Sequence, residues 1–189
     1  MRIQIDRIFY PVKTLGYGER LGIWTIGCPR QCKNCSNPEL QTAQPDKTVS
    51  VEFIVEKIEQ LRDKIDGITI TGGDPFYQPE PIKELLAKIH SLGIEDVLVY
   101  TGYTYEEIFE NSIFKQLLPY IGVLVDGPYK DELNDNISIR GSSNQNIYIL
   151  KPSLSNRYRN VDNWKRESQL IVSDDRLYAV GIPYALNPE

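Results

Sequence analysis

The 189-residue chain has the size of one domain with a single buried core. Its hydrophobic content of 41% and charged content of 25% are ordinary for a folded protein and argue against disorder. The formal net charge is -5, with acids and bases mixed along the chain, so we expect no nucleic-acid partner. Apolar runs are of strand length and the start lacks the apolar core of a signal peptide, which predicts a cytoplasmic protein with no membrane partner.

Segments typical of strands and helices alternate after residue 20. Strands are predicted at 21–26, 68–71, 96–101, 122–126 and 147–150. Helices are predicted from Ser50 as N-cap to about Asp66, around Pro81 up to Gly93, and from Thr104 to about Leu118. Repeated units of this length imply parallel strands joined by right-handed crossovers. The predicted fold class is therefore α/β, an open partial (β/α) barrel of mainly parallel strands.

The chain is predicted to divide at about residue 150. Residues 1–150 carry the alternating elements and every motif described below. Residues 151–189 are predicted to be a C-terminal extension packed on the same domain, with two short strands at 169–172 and 177–182.

Several polar or glycine-rich segments follow directly after predicted strands. These are the cysteine segment, Gly72-Gly73-Asp74-Pro75, Thr101-Gly102-Tyr103 and Asp126-Gly127. Ligands of parallel α/β folds bind at the carboxyl ends of the strands. We therefore expect these segments to meet at one rim of the sheet and to form a ligand site there.

The three cysteines of the chain, Cys28, Cys32 and Cys35, lie within eight residues. An odd, tightly spaced set does not form a disulfide framework, so a metal or redox site is predicted. A loop with this spacing can hold three corners of a [4Fe–4S] cluster and leave the fourth iron open to substrate. Zinc is the alternative; it would need a fourth ligand, and the single histidine, His90, lies at the end of a predicted helix.

The CxxxCxxC spacing after a strand resembles the signature of the radical S-adenosylmethionine (SAM) superfamily. This resemblance implies that S-adenosyl-L-methionine binds the open iron and is cleaved reductively to methionine and a 5′-deoxyadenosyl radical. In that superfamily the residue before the third cysteine is often aromatic and packs near the adenine. Here that residue is Asn34, so Trp24, Tyr103 or a backbone group can substitute in the adenine contact.

The resemblance also extends to the other strand ends. Thr71-Gly72-Gly73-Asp74-Pro75 resembles the GGEP-type element, which implies that Gly72, Gly73 and Asp74 bind the methionyl amino group. Thr101 and Asp126 resemble rim positions that hold the methionine carboxylate or the ribose. A plain strand-to-helix turn and a strand-end cap are the structural alternatives for these residues.

An ordered set of motifs resembles, more narrowly, the activating proteins of anaerobic ribonucleoside-triphosphate reductase. The set consists of Tyr10-Pro11-Val12, the turn at 16–20, the cysteine segment followed by Asn37, the segments at 71–75 and 100–103, Val123 to Gly127 and Arg140 to Gln145.

This narrower resemblance implies an activase that removes a hydrogen atom from a glycine Cα and leaves a glycyl radical. Its implied partners are the large subunit of the anaerobic reductase and flavodoxin or ferredoxin as electron donor. Two alternatives stay open on the sequence. One is the same chemistry on a different glycyl radical enzyme, a peptide or a small molecule, and the other is a zinc- or cluster-bearing interaction module without catalysis.

Overall fold

A central sheet of seven strands dominates the computed structural model, which describes residues 1–185. The strands are β1 (Arg2–Val12), β2 (Arg20–Thr25), β3 (Thr48–Ser50), β4 (Gly67–Gly72), β5 (Val97–Tyr100), β6 (Val123–Val125) and β7 (Ile147–Ile149). Their order across the sheet is β3-β1-β2-β4-β5-β6-β7, and the two ends do not pair with each other. The four central strands, β2, β4, β5 and β6, are parallel, which confirms the α/β class and the open, mainly parallel sheet.

Three α-helices connect the parallel strands: α1 (Val51–Leu61), α2 (Pro79–Ser91) and α3 (Tyr105–Glu110). The predicted N-caps of α1 and α3 are confirmed. The Ser50 hydroxyl accepts a hydrogen bond from Phe53 N at 3.1 Å, and Thr104 forms a capping box with Glu107. The apolar faces of α1 and α2 pack on the sheet and bury the central core.

The prediction that the third helix runs to about Leu118 is wrong, because α3 ends at Glu110. The side chain of Asn111 accepts hydrogen bonds from Ile113 N and Phe114 N. An asparagine that bonds its own following backbone competes with the helical pattern, so the helix stops and two short 3₁₀ turns follow.

Strand β1 lies outside the predicted strands, because the alternation of strand and helix segments begins only after residue 20. It lies between β2 and β3 and is antiparallel to both. Its signal is the alternation of Ile3 and Ile5, which are buried, with polar neighbours. This strand carries Arg7 and Phe9 to the end of the sheet where the candidate site lies.

A buried ion pair joins four parts of the chain near the amino ends of the parallel strands. Arg20 is 0% exposed and donates to Asp96 Oδ1 at 2.9 Å, and Asp96 is 2% exposed. The same guanidinium also donates to Thr69 Oγ1 and Ile68 O of strand β4. Tyr158 donates its hydroxyl hydrogen to Asp96 Oδ1 at 2.8 Å, which joins the C-terminal region to the core.

The two strands expected near the C-terminus are present as β8 (Ser168–Ser173) and β9 (Arg176–Gly181). They form an antiparallel hairpin that is separate from the main sheet. Asp174 and Asp175 at its turn both have positive φ, as a two-residue type I′ turn requires. Residues 186–189, the end of the predicted extension, lie outside the described residues.

Within residues 1–185, no helix combines the length and the apolar character needed to cross a membrane.

Replacing Arg20 by leucine should lower the free energy of unfolding by about 3–5 kcal/mol, because the carboxylate of Asp96 would stay buried without its main partner. Chemical denaturation followed by tryptophan fluorescence measures the change. Lys13→Ala, which breaks an exposed ion pair with Glu19, is the control and should leave the unfolding midpoint unchanged. Equal effects of the two substitutions would contradict this account of the core.

Candidate functional site

A cleft of about 300 Å³ lies at the carboxyl ends of the parallel strands. The strand-end segments predicted to meet at one rim contribute to it, together with residues from β1 and the C-terminal hairpin. The predicted site residues that line this cleft are Cys28, Asn34, Cys32, Cys35, Gly72, Gly73 and Thr101. Asp74 and Asp126 are not part of the lining and have a different environment.

The cysteine loop is held at its base by backbone hydrogen bonds. Gly27 N donates to Leu40 O at 2.7 Å, and Cys28 N donates to Gln41 O at 2.9 Å. Further along the loop, Asn37 N donates to Cys35 Sγ at 3.5 Å. The three cysteines are half-buried and form no disulfide, so all three sulfurs are available at the cleft.

Among the residues that line the cleft, the three thiols are the side chains of the type that binds iron or zinc. Within the described residues, no three His, Cys, Asp or Glu side chains converge closely enough to hold one metal ion. Burial raises the pKa of Cys28 and Cys32, so the metal-free thiols are protonated at neutral pH and give up their protons when iron binds.

The turn of Gly72 and Gly73 is pressed against the end of β2. Gly73 N donates to Thr25 O at 2.8 Å, and Asp74 N donates to Gly27 O at 2.7 Å. Gly72 has φ +109°, and a Cβ there would meet Thr25 O at 2.5 Å, so a side chain is excluded. The bare backbone of this turn therefore lies beside the cysteine loop, within the same cleft.

Asp74 is fully buried beneath the rim. Its Oδ1 accepts from Phe76 N and its Oδ2 accepts from Gly102 N, both at 2.9 Å, and the Thr101 hydroxyl donates to it as well. Burial raises the pKa of Asp74 to about 6, although these hydrogen bonds favour the charged form. The carboxylate thus joins the turn after β4 to the turn after β5 and fixes the position of Thr101.

Asp126 has a similar structural environment at the end of β6. Its carboxylate is 1% exposed and accepts from Tyr105 N at 2.8 Å and from Asn146 N at 2.9 Å. The next residue, Gly127, does line the cleft. Asp126 therefore anchors the start of α3 and the start of β7 behind the cleft wall.

Asn34 lines the cleft with its backbone in the left-handed region, at φ +55°. Its side-chain amide donates to Asp131 Oδ2 at 2.7 Å, which connects the cysteine loop to the segment after β6. Asparagine is among the few residues that adopt this conformation readily, whereas an aromatic side chain is uncommon there.

Comparison with known proteins agrees with the cysteine motif. The family described as “4Fe-4S single cluster domain” matches residues 14–148. The chain is 33% identical over 149 residues to the anaerobic ribonucleoside-triphosphate reductase-activating protein of Pasteurella multocida (strain Pm70), an alignment that covers 74% of this chain and 94% of the relative. The chain belongs to this activating-protein family.

Other members are similarly related. The activating protein of Escherichia coli (strain K12) is 32% identical, over 76% of this chain and 97% of its own length. That of Enterobacteria phage T4 is 31% identical, over 76% of this chain and 92% of its own. The crystal structure of QueE from Escherichia coli aligns with a TM-score of 0.47 and 18% identity, and the alignment covers 55% of this chain and 54% of QueE.

As a member of the activating-protein family, the chain is a radical SAM enzyme whose cofactors are a [4Fe–4S] cluster and S-adenosyl-L-methionine. The residues present fit both groups. Cys28, Cys32 and Cys35 line the cleft, and the Gly72–Gly73 turn, which has no side chains, lines the same cleft.

Some cleft residues were missed by sequence reasoning. Arg7, Tyr129 and the run 178–183 line the cleft but carry no motif that singles them out. Gly141 and Gln145 come from the motif Arg140 to Gln145, whereas Arg140 itself pairs with Asp135 at 3.0 Å instead of lining the cleft. In the sequence, only the high proportion of polar residues in this loop indicates that it contributes to the cleft.

Gly73→Ala should lower the free energy of unfolding by about 1–3 kcal/mol, because its Cβ would meet the backbone oxygens of Gly27 at 2.4 Å and Leu40 at 2.8 Å. Gly102→Ala is the comparison: the nearest atom to its Cβ is Cγ of the Arg30 side chain at 2.7 Å and not a backbone oxygen, so we expect a smaller loss than for Gly73→Ala. Thermal unfolding of both variants measures the two losses of stability. A larger loss for Gly102→Ala would refute the close contact between the two loops.

Proposed function

We propose that this chain generates a glycyl radical on the large subunit of anaerobic ribonucleoside-triphosphate reductase. The observation that carries the proposal is the common cleft of Cys28, Cys32 and Cys35 with the Gly72–Gly73 turn, in a chain whose relatives bear the name of activating protein for that reductase. No segment of this sequence resembles a glycyl-radical loop, so the acceptor belongs to a partner.

The three cysteines would hold three irons of the cluster and leave the fourth accessible from the cleft. When bound, the cluster and S-adenosyl-L-methionine supply a one-electron cleavage of the sulfonium bond and, through it, hydrogen-atom abstraction from a glycine Cα. The chain's own residues bind and orient these groups. The three cysteines themselves are half-buried, which limits the access of water to their sulfurs.

The other site residues divide into two roles in this proposal. Gly72 and Gly73 would accept the methionyl amino group on bare backbone, while Thr101 and Asn34 face the rest of the cofactor from the cleft wall. Asp74 and Asp126 act from behind that wall, Asp74 through Thr101 and Gly102, and Asp126 through the backbone next to Gly127. Their function is to position the residues that line the cleft.

The division of the chain into one domain and a C-terminal extension is part of the proposal. Residues 1–150 form the radical SAM domain, because the family match ends at 148, and residues 151–189 are an extension packed on it. Leu154, Tyr158 and Val161 of the extension are buried against the sheet.

Flavodoxin or ferredoxin is the proposed electron donor, and the cytoplasmic location stays a prediction from the sequence.

Anaerobically reconstituted protein, reduced and mixed with S-adenosyl-L-methionine, should cleave the cofactor to methionine and 5′-deoxyadenosine. Cys32→Ala should reduce this cleavage to background, because the cluster would lose one of its three protein ligands. Iron and sulfide analysis should give about four of each per wild-type chain. Zinc without iron in the wild type would end the radical SAM interpretation.

The acceptor is tested by adding the large subunit of the anaerobic reductase from the same organism. Electron paramagnetic resonance should then show a glycyl radical doublet that depends on both the cluster and S-adenosyl-L-methionine. The cofactor could be cleaved while the doublet forms on another glycyl radical enzyme and not on this reductase. That result would identify the other enzyme as the acceptor.

A further inference from the structure

The C-terminal hairpin contributes one strand edge to the cleft. Six consecutive residues, Tyr178 to Pro183, line it, whereas no residue of β8 does. Side chains of a strand alternate between its two faces, so a cavity bordered by consecutive residues meets the strand along its edge. The edge of β9 that faces away from β8 therefore forms one wall of the cleft.

The hydrogen-bond register of the hairpin identifies which backbone groups this edge presents. Ser173 pairs with Arg176 across the two-residue turn, and such flanking residues exchange both of their hydrogen bonds. Bonded and non-bonded pairs then alternate along the ladder. Leu177, Ala179 and Gly181 fall in non-bonded pairs, so their N–H and C=O groups point away from β8. Among the described residues, these groups have no hydrogen-bond partner.

The hairpin is held firmly against the cleft by its inner face. Tyr178 packs edge-on against Phe9, with ring centroids 5.0 Å apart, and the Arg7 guanidinium lies over the Tyr178 ring at 5.2 Å. The Thr14 hydroxyl donates to Val180 O at 3.1 Å, and the Gln169 side-chain amide donates to Pro11 O at 2.8 Å. The open edge is therefore preformed, which lowers the entropy cost of binding along it.

The outer face of the hairpin is apolar and uncovered. Leu170, Val172 and Leu177 are 68%, 75% and 65% exposed. An open strand edge flanked by exposed aliphatic side chains is a template for pairing with another chain. The family match stops at residue 148, and relatives are covered almost completely by three quarters of this chain, so the hairpin lies beyond the part shared with the family.

We propose that the open edge of β9 binds an extended main-chain segment of the partner protein, the segment that carries the radical acceptor, by strand addition. This proposal rests on the proposed function, which requires a protein segment to enter the cysteine cleft. The outward N–H and C=O groups of Leu177, Ala179 and Gly181 supply alternating donors and acceptors, which is what an extended backbone recognises. The same wall then guides the segment toward Cys28, Cys32 and Cys35.

Ala179→Pro tests the edge, because proline removes one outward N–H and its ring occupies the pairing position. Ser168→Pro is the matched control, since Ser168 points its N–H outward from the opposite edge of the hairpin. At reductase concentrations below saturation, Ala179→Pro should lower the number of glycyl radicals formed per cofactor cleaved by about tenfold, while Ser168→Pro stays within about twofold of wild type.

Hydrogen exchange provides a second measurement that needs no variant. On addition of the reductase to wild-type protein, the amides of residues 177, 179 and 181 should exchange more slowly, and those of 168, 170 and 172 should not. Equal radical yields for the two variants, or a complex without protection at β9, would overturn the proposal. A dimer of this chain that forms through the open edge of β9 and leaves radical transfer intact would also overturn the proposal, because a second copy of the chain would then occupy the edge.

These outcomes are separable from failure of the proposed function. If wild-type protein forms no glycyl radical on the reductase and no complex with it, the function itself is wrong. If wild type forms the radical and Ala179→Pro matches Ser168→Pro, only the assignment of the edge is wrong.

Discussion

The close contact between the end of β2 and the turn after β4 determines the rest of the site. Two backbone hydrogen bonds, from Gly73 to Thr25 and from Asp74 to Gly27, join the start of the cysteine loop to the glycine turn. A side chain at Gly72 or Gly73 would separate them. Because parallel strands end at the same edge of a sheet, this contact needs no long connection and follows from the strand order alone.

The pattern of the sequence predicts the architecture well where the signal is local. The cysteine spacing and the strand-end position of Gly72, Gly73 and Thr101 suffice to place them in one cleft. The orientation of Asp74 and Asp126 does not follow from the sequence, because a carboxylate at a strand end can face either a ligand or neighbouring backbone amides. Here the backbone N–H groups of Gly102 and Tyr105 donate hydrogen bonds to Asp74 and Asp126, and both carboxylates are buried.

Two other differences have equally specific causes. The early end of α3 depends on a single asparagine side chain that bonds the following backbone, a choice that periodicity does not reveal. The role of the hairpin in the cleft depends on contacts between residues more than 150 positions apart, such as Thr14 with Val180. Strand patterning finds the hairpin but carries no information on where it docks.

The Arg7 side chain contacts both the C-terminal hairpin and the cysteine loop. Its guanidinium lies over the rings of both Trp24 and Tyr178, and it donates to Asn37 Oδ1 at 2.6 Å, two residues after Cys35. The position of the hairpin and the position of Asn37 in the cysteine loop therefore depend on the same side chain. One arginine side chain is thus shared between the hairpin beyond the family match and the loop that carries the three cysteines.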